Sequence, residues 1–506
     1  MKKILATTLL FSSLCISQSV LSAPTVFPTG TTIYNPDKAW SGYTVFPAAG
    51  QQGCVLIDMN GNVVKFWKGL KGEPGPNKML PGGFVYGALD IRPGYQDYVD
   101  LSLIDWDGNI VWQFNKAEKV TGPDGNSQWM ARQHHDFQHE GNPVGYYAPG
   151  ADFKKNGNRL ILTHTTLTNP DISDKTLEDD RIIEVNHAGE IVWEWKASDH
   201  FAEFGFSEAA KKAIHDNPNY NPRHESGDWF HINNMNWVGP NTWFDQGDER
   251  FAPDNIIIDG RETNILAIID KKSGKIVWQL GPDYTASPEL RKLGQIIGQH
   301  HVHIIPKGLP GEGNMMIFDN GGAAGYGAAN SQAPGGYPAE RRDFSRVLEI
   351  NPITLEIVWQ LDAGKLGYFS KYEKDKFFSS YISSAQRLAN GNTLICEGSN
   401  GHFIEVTPDY EVVWDYVSPY FVAAPQARED LKHWNMVYRA YRVPYEWVPQ
   451  LTKPTEKAII PPDNGAFTVP GSQWQTLPGA VVDLSQHSVK EQADEEDEGM
   501  EEFKSY

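Results

Sequence analysis

The chain has 506 residues, of which 40% are apolar and 12% aromatic. That suffices for a large buried core and exceeds an ordinary compact domain unless a repeat extends it. A formal net charge of −20 argues against nucleic acid and against an anionic membrane surface as partners, and past the N-terminus no apolar run approaches the roughly 20 residues that span a bilayer, so a soluble mature protein is expected.

Residues 1–22 read as a cleaved signal peptide. Lys2 and Lys3 form a charged start, residues 4–16 are apolar, and Val20 and Ser22 suit cleavage after Ser22. Leu14, ahead of Cys15, is too large for a lipoprotein site, so no lipid anchor is expected. These features predict a periplasmic or secreted protein. Beyond the signal only Cys54 and Cys396 remain, both in strand-like runs. They read as two buried thiols or, in an oxidising compartment, as a pair.

One phrase then recurs six times: an apolar strand, a short polar turn and a strand carrying an aromatic. The copies are LIDMNGNVVKFW from Leu56, LIDWDGNIVWQF from Leu103, IIEVNHAGEIVWEW from Ile182, LAIIDKKSGKIVWQL from Leu266, VLEINPITLEIVWQL from Val347 and FIEVTPDYEVVWDY from Phe403. Each is a hairpin with alternating apolar residues. The fifth lacks a glycine turn, and the first has Lys65 where the others have Trp112, Trp193, Trp278, Trp359 and Trp414. Four copies are preceded by further strands, such as NGNRLILTHT from Asn156 and NGNTLICEG from Asn390. Four strands per unit in fixed order predict an all-β fold, a six-bladed β-propeller with four-stranded blades over residues 23–460. The first hairpin is too short for a whole blade, so a C-terminal segment, with residues 438–447 as one candidate, is expected to complete it. Residues 461–506 lose the periodicity and read as an irregular extension, with an acidic, disordered tail at residues 491–502.

In a propeller the first strand of each blade lies nearest the channel, and its ends converge at one mouth. Here those strands read RQHHDFQH from Arg132, DWFHINNMNW from Asp228 and GQHHVHII from Gly298. Histidines on successive first strands therefore meet across the channel. Either His134 or His135 could face it. In QHHVH, period-two alternation puts His301 and His303 on one face and His300 on the other. His134, His135, His139, His300, His301 and His303 with Asp136 could also ligate a metal, but their spacing matches no compact zinc or copper pattern.

The ordered set HHDF, HIN, the Arg of IIIDGRETN, QHH followed by FDNGG, and NGNTLICEG resembles the bacterial arylsulfotransferases, the aryl-sulfate sulfotransferases that use no nucleotide sulfate donor. The likeness runs from about residue 40 to 445. It implies transfer of a sulfuryl group from an aryl sulfate to a phenol in two steps, through a transiently sulfated histidine and with neither cofactor nor metal. Carried over by motif, the nucleophile falls on His300. His231, Asn233 and Arg261 would surround the sulfuryl oxygens, and His135 would be the remaining channel histidine.

The roles suit the residue types. In-line transfer spreads negative charge over peripheral oxygens, which a guanidinium fork and neighbouring N–H groups stabilise. A neutral imidazole attacks and a second histidine protonates the departing phenolate. Trp229, Phe230 and Trp237 could pack the aryl ring or belong to the blade core. Arg439 and Arg442 are candidates for the channel mouth. The chain departs from better-known relatives in lacking an N-terminal β-sandwich extension and a close cysteine pair, which leaves monomer and homodimer both open. The competing readings are a quinoprotein-like or metal-dependent propeller oxidoreductase and a non-catalytic ligand-binding propeller.

Overall fold

The six recurring hairpins turn in the same way, and the backbone shows why. Each turn needs one residue in the left-handed region, which glycine enters without strain. Gly61, Gly108, Gly189 and Gly274 fill that place in four copies, at φ of 82°, 93°, 85° and 75°. Leu355 and Tyr410 fill it in the fifth and sixth, at 60° and 72°. The missing glycine is thus a residue-type change at a retained backbone geometry. Tyr410 gains from its place, because its ring stacks on Trp359 at 5.6 Å between centroids.

The computed structural model describes residues 28–122, 125–422 and 434–461. The expected signal segment and the acidic run 491–502 lie outside them. Among the described residues, antiparallel strands form six four-stranded blades. Blades 2 to 5 are each contiguous in sequence, and their innermost strands are Lys78–Leu80, Gln133–His139, Ile232–Trp237 and His300–Ile304. Blade 6 begins with Ser384–Arg387 and carries Gly30–Tyr34 as an extra outer strand. Blade 1 holds Tyr43–Ala48, Gly53–Ile57 and Val63–Lys68, and its inner strand is Tyr441–Val443, paired from Tyr43 to Val45. The C-terminal segment therefore closes the ring within the stretch the sequence pointed to. No described helix is long and apolar enough to cross a membrane.

The tryptophan repeat has a specific task. Each blade's outer strand sends an indole N–H to the backbone carbonyl of the next blade's outer turn. Trp112 donates to His187 O at 3.1 Å, Trp193 to Lys271 O at 3.0 Å, Trp278 to Pro352 O at 2.9 Å and Trp359 to Pro408 O at 3.1 Å. Trp414 closes the circle onto Met59 O at 2.8 Å. Blade 1 keeps the contact although Lys65 replaces its tryptophan. Trp67, two residues on and so on the same strand face, donates to Asp105 O at 3.3 Å. Lys65 lies over the Trp106 ring instead, 4.6 Å from its centroid. Each clasp joins a buried or half-buried indole to a carbonyl of the neighbouring turn, worth about 0.5–1.5 kcal/mol net per hydrogen bond.

Cys54 and Cys396 are both buried free thiols, each within an apolar cluster. Of the two readings of the cysteines, the buried thiols hold. Trp229 and Phe230 also belong to the core. They pack with Phe204 and Phe206, and Trp229 donates its indole N–H to Asp179 at 3.0 Å. Trp237 is buried in the same cluster.

Candidate active site

Residues in or just ahead of the first turns of all six inner strands line one cavity, at the end where those strands begin. Its volume is about 570 Å³, and its wall takes Tyr438 from blade 1, Pro74 from blade 2, His135 from blade 3, His231 from blade 4, His300 from blade 5 and Ile382 from blade 6. Three of these strands start with irregular pairing. The register slips between Gln133 and Phe137, between Ile232 and Asn234, and between His300 and His303. His135, His231 and His301 take φ of 51°, 56° and 56°, and Ile382 takes 54°. Left-handed backbone at non-glycine residues is costly, most of all at a β-branched one, and it marks places where the chain bends to aim a group.

Beneath the cavity the channel is plugged by buried charges. Lys78 Nζ lies 2.5 Å from Asp136 Oδ1, and Arg439 reaches Asp136 Oδ2 at 2.9 Å. Arg439 also donates to Asn233 O at 2.6 Å. Arg439 thus sits inside the channel, not at its mouth. Arg442 is further away and pairs with Glu405 at 3.1 Å. Burial lowers the Lys78 ammonium to about 8, with Asp136 opposing the shift.

His300 is held in one tautomer. Its Nδ1 lies 2.8 Å from Asn320 Oδ1 and 3.1 Å from Gly298 O, two acceptors, so Nδ1 carries the proton. The Asn320 amide is oriented by its own Nδ2, which donates to Ser379 O and Ile382 O. The Nε2 lone pair accepts from the Ile382 N–H at 3.1 Å. Burial and then the Arg261 charge keep the ring neutral, well below the ordinary histidine range.

His231 is the opposite case. Its Nδ1 bonds the Asp228 carboxylate. Burial disfavours its charge, but the Asp228 charge and hydrogen bond outweigh burial and raise its pKa. His135 lies next to it, 4.6 Å between ring centroids, and burial followed by the His231 charge holds it neutral. Arg261 completes the group, its guanidinium bonded to Glu262, whose other oxygen takes the Tyr337 hydroxyl.

The structure therefore brings His135, His231, Arg261 and His300 to one cavity wall and places Asn233 elsewhere. Asn233 is fully buried in the slipped segment of its strand. Its Nδ2 donates to Gln299 O at 3.0 Å, next to His300, and its Oδ1 has no partner. It braces blade 4 against blade 5 and does not line the cavity. The ambiguous pairs separate cleanly. His135 faces the cavity, while His134 turns to Asp180, 3.3 Å away. His301 and His303 share the other side of their strand, bonded to Ala385 N–H and to the Tyr146 hydroxyl at 3.3 and 2.8 Å. Trp229, Phe230 and Trp237 line no part of the cavity; Tyr95, Tyr381, Tyr438 and Met436 do.

Among the described residues, two side-chain groups have the composition of metal ligands, His134–His164–Asp180 and Asp97–His164–Glu178. In the first, the imidazoles stack at 3.6 Å and 12°, so their in-plane lone pairs run side by side instead of converging on one ion. In the second, Arg132 bonds both acids, at 2.8 and 3.0 Å, and already supplies the positive charge.

Sequence reasoning missed Asp228, Glu262, Asn320, Tyr381 and His164. Asp228 stands three residues before His231 in DWFH, a spacing that carries no signal unless the turn between them is known. Asn320 follows Asp319 in the FDNGG phrase, which was legible as a motif but not as the partner of His300.

Solved structures match the chain at low identity and low TM-score. A protein of unknown function from Bacteroides caccae is 10% identical, with a TM-score of 0.40 over 80% of this chain and 99% of that chain. A periplasmic gluconolactonase from Pseudomonas aeruginosa is 9% identical, with a TM-score of 0.34 over 80% of this chain and all of that chain. A europium-containing methanol dehydrogenase is 10% identical, with a TM-score of 0.35 over 76% and 81%. No curated protein matches the chain. The model of the family described as arylsulfotransferase (ASST) matches residues 145–418, a stretch that begins after His135 and includes His231, Arg261 and His300. That match spans more than half of the sequence, and the chain belongs to the arylsulfotransferase (ASST) family.

Proposed function

We propose that the protein moves a sulfuryl group from an aryl sulfate to a phenol by ping-pong transfer through sulfated His300. The observation that carries this reading is the pair of imidazoles on one cavity wall, His300 held at Nδ1 by Asn320 and Gly298 O and His231 held at Nδ1 by the Asp228 carboxylate. The Ile382 N–H turns from His300 Nε2 to a sulfuryl oxygen, the freed lone pair attacks sulfur, the N–S bond forms and the ester S–O bond breaks. The departing phenolate oxygen takes the proton from His231 Nε2. Asn320 Oδ1 accepts from Nδ1–H and steadies the positive charge that grows on the ring. Arg261 and the Ile382 N–H are donors for the peripheral oxygens, where charge is greatest. The acceptor phenol then returns its proton to His231, attacks sulfur and restores the His300 lone pair.

Export is inferred from residues 1–22; N-terminal sequencing of the mature protein should begin at Ala23, and a retained Met1 would overturn it. The reaction is tested by incubation with 4-nitrophenyl sulfate, with and without phenol, followed by intact mass and peptide mapping. A gain of one sulfuryl group at His300, discharged by phenol, is expected. Folded protein that gives neither adduct nor turnover would refute the reading, and an adduct on His135 would move the nucleophile.

A further inference from the structure

Neighbouring residues on a regular strand point to opposite faces, so two adjacent histidines there would not touch. His134 and His135 do. His135 takes φ of 51°, and the bend brings its Nδ1 to 2.8 Å from His134 Nδ1. Two ring nitrogens at that distance hold one proton between them, one donating and the other accepting. At the far edge of its ring, His134 Nε2 lies 3.3 Å from Asp180 Oδ1. Both atoms are buried, and neither has a hydrogen-bond partner elsewhere among the described residues. Asp180 Oδ2 is fixed by the Ile232 N–H at 2.9 Å. Three titratable groups thus stand in file from within blade 3 to the cavity, which His135 lines. The groups packed around them do not break the file. His164 stacks on the face of His134 and has its own Nδ1 3.7 Å from Asp97. Asp179 accepts from the Trp229 indole and the Ser198 N–H, and Asp228 is taken by His231.

A neutral imidazole carries one ring proton, so the two rings change tautomer together with Asp180. With a proton on Asp180, His134 carries its own on Nδ1 and His135 turns Nε2–H to the cavity. With Asp180 ionised, both rings are reversed and His135 turns a bare Nε2. We propose that Asp180, His134 and His135 form a proton file that gives the departing phenol a second proton donor beside His231. When the file lends, His135 Nε2–H passes to the phenolate oxygen, His134 Nδ1–H to His135 Nδ1, and the Asp180 O–H to His134 Nε2. Three bonds to hydrogen break and three form, both rings stay neutral, and one negative charge ends on Asp180 beside the Ile232 N–H. The proton of the acceptor phenol drives the same steps back. His135 alone touches the substrate; His134 and Asp180 act through it. The inference rests on the sulfuryl-transfer reading and deepens it.

The test compares 4-nitrophenyl sulfate, whose phenolate leaves with little need of a proton, with phenyl sulfate, whose phenolate needs one. The reading is kcat/KM for each donor, which in a ping-pong cycle reports the first half-reaction alone. Asp180→Asn keeps an acceptor for the Ile232 N–H and a donor for His134, but its amide has no proton to lend. It should lower the ratio of phenyl to 4-nitrophenyl sulfate about tenfold or more, and further in the Asp228→Asn background, where both routes fail together. His134→Phe keeps a ring against His164 and removes the middle of the file, so the same fall is expected. NMR of the full chain with isotope-labelled histidine, read without turnover, should show one proton coupled to nitrogens of two rings, a signal lost in His134→Phe. An unchanged ratio in the folded variants, or no proton shared between two rings, would overturn the proposal while sulfuryl transfer continued. If neither variant folds, the NMR of the wild type decides. Folded wild type that transfers from neither ester would instead overturn the reading on which the proposal rests.

Discussion

The outer ring and the inner mouth of the propeller follow opposite rules. Outside, six turns place a left-handed residue at the same point and six tryptophans clasp the next blade. Inside, the six strand starts present Tyr438, Pro74, His135, His231, His300 and Ile382, no two blades sharing the same set of partners. Closure of a ring demands that each blade meet its neighbour alike, so repetition is the mark of structure. A site for one asymmetric ligand demands the reverse, and the left-handed non-glycine residues His135, His231 and Ile382 line the cavity.

The comparison breaks most sharply at His300. His300→Ala should lower sulfuryl transfer by at least about 10⁴-fold and abolish the sulfated adduct, because the whole two-step route runs through one nitrogen. The fold should survive, since no outer clasp is touched, although the unpaired Asn320 and Ile382 partners should cost about 1–3 kcal/mol; a protein that keeps half its turnover would place the nucleophile elsewhere.

Asp228→Asn comes next, with an expected loss of about 10²–10³-fold in kcat. Its signature is the pH profile. Asp228 raises the folded His231 pKa, so the proton needed for the leaving group is fully present below that value and is lost as pH rises through it. Removing the carboxylate should move this alkaline fall to lower pH. The acid side should hardly shift, because His300 is already held neutral well below the ordinary histidine range. An unmoved alkaline limb would mean that His231 is not the proton donor.

The outer ring was legible in the sequence almost completely, because six copies of one phrase can be compared with one another. Even its exceptions were visible as exceptions, although only the structure shows that Trp67 does the work missing at Lys65. The mouth was legible only through residue chemistry. HHD, HIN and QHH marked three strands that open on the cavity, but a one-residue slip decides which side chain enters it, and such slips leave no periodic trace. Asn233 shows the cost. It lies within the slip, between Ile232 and Asn234, and ends against Gln299 instead of the ligand space. Asp228 and Glu262 were invisible because their role exists only through a partner that the fold brings to them.

Trp278→Phe tests the clasp itself. The aromatic surface stays, while the Pro352 carbonyl loses a buried donor, which should cost about 1–3 kcal/mol in denaturant unfolding. Trp278 lines no part of the cavity, so turnover per folded molecule should be unchanged. A fall in kcat at full folding would show that the outer ring transmits to the mouth and that the two regions are not separable.

The smallest effects probe the turns. At Gly108 an added Cβ would meet nothing within 4 Å, so Gly108→Ala isolates the cost of forcing an L-residue to φ of 93°. That should be about 1–2 kcal/mol. Leu355 already bears this strain at φ of 60°, in the equivalent place of blade 5. Leu355→Gly relieves it but adds about 0.5–1 kcal/mol of chain entropy on unfolding, and it removes a side chain that packs against the blade 4–5 core. The two terms nearly cancel, so stability should change by less than about 1 kcal/mol. Opposite outcomes at two equivalent positions, a clear loss at Gly108 and almost none at Leu355, follow only if both turns are held to one geometry by the ring. Equal losses at both would mean that blade 5 reaches its clasp by local packing of Leu355 and not by the shared turn.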